Sequence, residues 1–147
     1  MVSLGAKMTA VSLGQAEITA DVSDAYTQQQ GFAHGGLVFS IADSAAGYAA
    51  LTMVPLENEI MTAELKINYL SAGKGRLIAA GRVLKPGRRL VVVAADVWAI
   101  DGETRKHVAV LQGTMVPVTI YIKRSTAPAR TLSPIIRSSS FVSSAKS

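Results

Sequence analysis

Gly35 to Val54 reads GGLVFSIADSAAGYAALTMV. Apolar side chains recur on nearly every side of a helical turn, from Leu37, Val38 and Ile41 through Ala45, Ala46 and Ala49 to Leu51 and Val54. An alanine-rich segment that is apolar almost all round is a helix covered on most sides, and Pro55 stops it. At 1.5 Å per residue it runs about 30 Å, the width of a small domain. One acid, Asp43, stands in its middle between apolar neighbours. A carboxylate there costs several kcal/mol unless something solvates or pairs it. It is either a paired structural acid, or one facing water, or a placed base or nucleophile.

On either side of this helix the periodicity changes to that of strands. Met8 to Ser23 reads as extended, interrupted by Gly14, with Ala16, Ile18, Ala20 and Val22 alternating against Glu17, Thr19, Asp21 and Ser23. Ser23 to His34 is polar and turn-like. Four strand candidates follow the helix. Ile60 to Leu70 sets Met61, Ala63, Leu65, Ile67 and Tyr69 against Thr62, Glu64, Lys66 and Asn68. Arg76 to Leu84, Leu90 to Ile100 and His107 to Pro117 complete the set. Lys85-Pro86-Gly87-Arg88 and Asp101-Gly102 are turn signals between them. Short turns imply antiparallel neighbours. A single helix with no other partner must be wrapped by that one sheet. The expected fold is therefore α+β, a hotdog fold, in which a curved antiparallel sheet wraps one long buried helix.

The 147 residues suffice for one core. The domain is expected over residues 1–122, with residues 123–147 a flexible Ser-, Ala- and Pro-rich tail and Ile120 to Ile122 a possible extension of the last strand. The net charge of +5 suggests nucleic acid until it is located. Residues 1–117 carry ten basic and ten acidic residues, so the excess comes from Lys123, Arg124, Arg130, Arg137 and Lys146. The rest shows no basic face with interleaved aromatics, and no nucleic-acid partner is expected. The best candidate span, Ser44 to Leu56, is 13 charge-free residues, short of the roughly 18 apolar residues that span a bilayer, so no membrane partner is expected either. Only Lys7 precedes Glu17 and no continuous apolar run stands there, which argues against a secretory leader. Without cysteine there is no disulfide framework or thiolate site, and a cytoplasmic location fits. His34 and His107 are too few for a histidine-rich metal site, and no metal or cofactor is expected.

The chemistry concentrates between Gln28 and Gly47. Gly36, Ser40, Asp43 and Gly47 fall at i, i+4, i+7 and i+11, one small or polar stripe on a large apolar helix. Such a stripe admits another backbone or a narrow ligand beside the acid. His34-Gly35-Gly36 opens the helix, where the first backbone N–H groups lack intrahelical partners and carry the positive end of the dipole. With no side chains in the way, a ligand oxygen can reach Gly35 and Gly36. Gln28 stands where it could position water or a carbonyl, and Thr62 where it could hydrogen-bond attacking water. Each of these also has a plain structural reading: a glycine turn, a loop amide, a strand threonine.

An amide residue, then His34-Gly35-Gly36-Leu37, then Ile41-Ala42-Asp43-Ser44-Ala45 resembles the PaaI-like (phenylacetyl-CoA-type) hotdog thioesterases. The resemblance continues through Thr62-Ala63-Glu64-Leu65-Lys66-Ile67-Asn68-Tyr69-Leu70 and the strands to about Pro117. It implies hydrolysis of an acyl-CoA thioester, with CoA as part of the substrate and no separate cofactor. In that pattern Gly35 polarises the carbonyl, Asp43 attacks it or activates water, His34 is the histidine of the glycine motif and Thr62 orients the water. Gln28 stands where the family has asparagine, one methylene longer. The phosphates of CoA would need cations. Lys85, Arg88 and Arg89 on one turn are the candidates, with Lys74 and Arg76 on another, and Gly36 at the helix start is a further binding position. The runner-up readings are a hotdog enoyl-CoA hydratase or dehydratase and a non-catalytic acyl-CoA-binding module.

The spacing carries a further expectation. Gly35 and Asp43 lie eight residues apart on one helix, about 12 Å of rise. That is too far for both to reach one thioester carbon. A two-fold dimer sets Gly35 of one chain against Asp43 of the other. The resemblance implies the same homodimer, with dimers paired into tetramers.

Overall fold

The computed structural model describes residues 2–120. The chain forms β1 (Ala6–Ser12), β2 (Gln15–Asp21), α1 (Gly35–Leu51), β3 (Asn58–Tyr69), β4 (Arg76–Lys85), β5 (Val91–Asp101) and β6 (Thr104–Thr119). All six strands make one antiparallel sheet in the order β1-β2-β4-β5-β6-β3, with α1 packed on one face. This is the hotdog arrangement. No helix among the described residues is long and apolar enough to cross a membrane. The expected tail, residues 123–147, lies outside the described residues. So do residues 121–122, and β6 itself ends at Thr119, one residue short of Ile120.

Three features depart from the expectations. The extended segment before the helix is two strands, because Gly14 turns the chain rather than merely interrupting it. Ser12 pairs with Gln15, and Gly14 holds φ +73°, a left-handed conformation open to glycine at little cost. The helix ends at Leu51, three residues before Val54. Thr52 takes over there: its hydroxyl donates to Ala49 O at 2.7 Å and accepts from Gly14 N at 2.7 Å, tying the β1–β2 hairpin tip to the helix end. Finally, β3 does not neighbour β4. It crosses to the far edge and pairs with β6 over Asn58–Tyr69, so the turns that follow it join β4, β5 and β6 but not β3.

The core lies between the helix and the sheet. Alternate residues of the strands face it: Ile18 on β2, Leu77 and Ala79 on β4, Val91, Val93, Ala95 and Val97 on β5, and Leu111 and Met115 on β6. The helix contributes Leu37, Val38, Ile41 and a run of alanines. Small residues on both sides bring the backbones together. A Cβ at Gly81 on β4 would overlap the backbone of Ala45. The helix is not covered all round, however. Gly36, Ser40, Asp43, Gly47 and Tyr48 lie on a face that the sheet leaves open.

The contact at Gly81 gives a test of this packing. Gly81→Val forces the helix off the sheet and should destabilise the chain by about 2–3 kcal/mol. Urea unfolding of the purified variant reads this directly, and an unchanged midpoint would mean that the helix moves aside freely.

Candidate active site

Asp43 is half-buried on the open side of α1, and no charged or polar residue among those described is fully buried. Its carboxylate is held by Thr62, whose hydroxyl donates to Asp43 Oδ1 at 2.9 Å. The same Thr62 oxygen lies 3.3 Å from Met115 Sδ, a much weaker acceptor. Strand alternation had set Thr62 on the outward face with Glu64. A β-bulge between Thr62 and Glu64 reverses the parity. Before it Ile60 and Thr62 face the helix and Met61 is exposed; after it Leu65 and Ile67 face the core. The bulge is what aims Thr62 at Asp43. Ser44, Gly47, Tyr48, Leu51, Glu59 and Ile60 complete a hollow of about 250 Å³ beside the carboxylate.

The start of the helix lines a second hollow, of about 570 Å³, with Gln28, His34, Gly35, Gly36 and Tyr69 in its wall. His34 is the N-cap. Its Nδ1 accepts from Gly36 N at 2.9 Å. The two glycines therefore differ. Gly36 N–H is already engaged, whereas Gly35 N–H donates to no described residue. An imidazole that accepts at Nδ1 carries its proton on Nε2 when neutral, so His34 adds an outward donor. Gln28 is partly committed to its own loop: its Nε2 donates to Ala33 O at 3.3 Å, leaving Oε1 and one N–H available. Tyr69 escaped the reading of the residues. Its hydroxyl donates to Gly35 O at 2.9 Å, a contact between positions 34 residues apart that no local spacing reveals.

The cation candidates separate. Arg88 and Arg89 line a third hollow, of about 590 Å³, between the helix exit at Met53–Pro55 and the β4–β5 turn. Lys85 does not line it. Its lining residues include neither an acid nor a free helix N–H. Arg76 is paired with Asp21. That guanidinium, hydrogen-bonded to the carboxylate, holds the Asp21 carboxyl below its usual range. Lys74 lies over the ring of Phe32.

One chain thus holds its acid and its unengaged helix N–H in separate hollows. The profile of the thioesterase superfamily matches residues 30–106, from the loop before the helix to the start of β6. A "putative esterase" of Saccharolobus solfataricus is 36% identical over 69% of this chain and 66% of its own length. The chain therefore spans about two thirds of that relative. A thioesterase family protein from Silicibacter pomeroyi superposes with a TM-score of 0.78 at 34% identity, covering 81% of this chain and 88% of that one. A variant of the phenylacetic acid degradation protein PaaI from Thermus thermophilus gives a TM-score of 0.68 at 25% identity, over 79% and 96% of the two chains. With the fold, the glycine-opened helix and the mid-helix aspartate in place, the chain belongs to the thioesterase superfamily, as a hotdog-fold member of a group of thioester hydrolases.

Proposed function

We propose that the protein hydrolyses an acyl-CoA thioester to the free acid and CoA, in a site completed by a second copy of the chain. The observation that carries this is the separation within one helix. Asp43 with Thr62, and Gly35 with His34, sit in different hollows, about 12 Å apart along the axis. Neither half is a hydrolase alone. Placed face to face across a two-fold axis, each half supplies what the other lacks.

Two features of the chain favour that arrangement. Among the described residues the outer edge of β3 is unpaired, and an open edge of 12 residues invites another strand. Pairing β3 with its copy would extend the sheet and set the two open helix faces side by side. Gly47 points the same way. A Cβ there would meet nothing within 4 Å, yet glycine inside a helix costs about 1 kcal/mol relative to alanine. Within one chain it has no packing reason; against a partner's backbone it has one. Pairing of such dimers into tetramers is a further part of this reading, from the family resemblance.

In the assembled site Gly35 N–H and His34 Nε2–H of one chain would bind the thioester oxygen and stabilise the charge that develops on it. Asp43 of the other chain, its Oδ1 held by Thr62, presents Oδ2. Either that oxygen attacks the carbonyl carbon, or it takes a proton from water whose oxygen attacks. In both routes the C–S bond breaks and the sulfur leaves as thiolate and is protonated; in the first route the resulting acyl–aspartyl anhydride is then cleaved by water, which regenerates Asp43, and in the second the attacking water itself supplies the oxygen of the product acid. Thr62 orients the carboxylate directly and the water through it. Gln28 Oε1 accepts from that water. Arg88 and Arg89 would take the phosphates of CoA, with Lys85 a more distant contributor. Gly36 serves by having no side chain, since its N–H is used by His34. The lack of cysteine fits work in a reducing cytoplasm.

Asp43→Asn keeps the shape and the Thr62 contact but removes the base or nucleophile. Its kcat should fall by about two orders of magnitude or more with an unchanged fold, read as release of free thiol from a panel of acyl-CoAs. Near wild-type turnover in the pure variant would remove Asp43 from the mechanism. Reversal of Arg88 and Arg89 together to glutamate should raise KM for acyl-CoA more than it lowers kcat. An unchanged KM would reject that phosphate site.

A further inference from the structure

Tyr69 closes a set of bonds around Gly35. Its hydroxyl donates to Gly35 O at 2.9 Å. Its ring stands so near that a Cβ at Gly35 would lie 3.3 Å from the ring Cζ and hydroxyl. The Gly35 carbonyl and the Gly36 N–H belong to one peptide plane, and His34 Nδ1 holds the other end of it at 2.9 Å. The preceding plane is held as well. His34 O accepts from Leu37 N at 3.0 Å and from Val38 N at 3.3 Å, and the N–H on that plane is the unengaged one of Gly35. Glycine is the residue with the most backbone freedom. Here both of its flanking planes are tied down.

We propose that Tyr69 is a positioning residue for the two oxyanion donors. Tyr69 holds the Gly35–Gly36 plane, and so limits rotation at the Gly35 Cα that joins it to the plane carrying Gly35 N–H. Through the shared peptide it also fixes the His34 ring. A bond accepted by the Gly35 carbonyl polarises the plane and makes Gly36 N–H a stronger donor. Nδ1 is thereby kept as acceptor and the proton stays on Nε2, which points outward. Tyr69, His34 and Gly35 all line the same hollow. The role is one of aim more than of stability. Tyr69 is 53% exposed, and its hydroxyl could bond to water equally well, so loss of this bond costs the folded chain little. A donor that drifts by a fraction of an ångström costs much more in rate. This inference rests on the hydrolase reading above.

The test is Tyr69→Phe in the full chain, which keeps the ring and removes the hydroxyl. The kcat on the best acyl-CoA should fall about tenfold while KM changes less than about twofold, and the melting temperature should hold. Tyr69→Ala should lose at least as much kcat. In ¹⁵N-labelled protein the His34 ring nitrogens should report the Nε2–H tautomer in the wild type and a mixture of tautomers in Tyr69→Phe, with faster exchange of the Gly36 amide. A Tyr69→Phe chain with wild-type kcat, or with unchanged His34 and Gly36 signals, overturns the positioning role. These signals read the Tyr69–Gly35–His34 linkage without turnover. A wild-type chain that hydrolyses no acyl-CoA would instead overturn the hydrolase reading.

Discussion

The backbone of α1 at Ala45 rests directly against Gly81 of β4, with no room between them for a methyl group. Everything on the other side of the helix follows from this contact. Alanines at 42, 45, 46, 49 and 50 let the sheet approach one side of the helix closely, and the opposite side is left facing outward with Asp43, Ser40 and two glycines. A helix with larger residues on the sheet side would stand farther off, and β3 would then carry Thr62 past Asp43. The 2.9 Å bond between Thr62 and Asp43 depends both on that closeness and on the bulge that turns Thr62 inward.

The fold was legible in the sequence because its largest signal was physical and local. An all-round apolar segment ended by proline, followed by alternating runs with turn residues between them, has few ways to bury itself. The strand bounds were close for β4 and β5. What the sequence hid was non-local. Gly14 was visible as a break but not as a turn, because a hairpin needs a partner strand and β1 offers little apolar alternation. The end of the helix depends on Thr52 meeting a hairpin tip from 38 residues away. The parity of Thr62 depends on a bulge, and a single extra residue leaves the composition of a strand untouched.

The site shows the same division. Asp43 and the His34-Gly35-Gly36 turn could be singled out, since an acid in an apolar helix and glycines at its start are both costly without a use. Their inequality came from the family resemblance and not from the residues themselves. Gly35 and Gly36 look equivalent as letters, but the His34 cap satisfies one N–H and leaves the other. Tyr69 is one aromatic among four tyrosines until the sheet edge brings it over the helix start. The basic turns likewise look alike in sequence, whereas Arg76 is occupied by Asp21 and Arg88 and Arg89 border an open hollow.

The proposed site is divided between two chains, because the rise of an α-helix fixes Gly35 and Asp43 too far apart to serve one carbonyl. The most direct measurement is complementation between a chain carrying Asp43→Asn and a chain carrying Gly35→Val, each inactive by itself. In purified mixed dimers one site carries both lesions and the other carries neither, so about half of the wild-type activity should return. Mixed dimers of verified composition that stay inactive, or a stable monomer with full activity, would contradict the shared site.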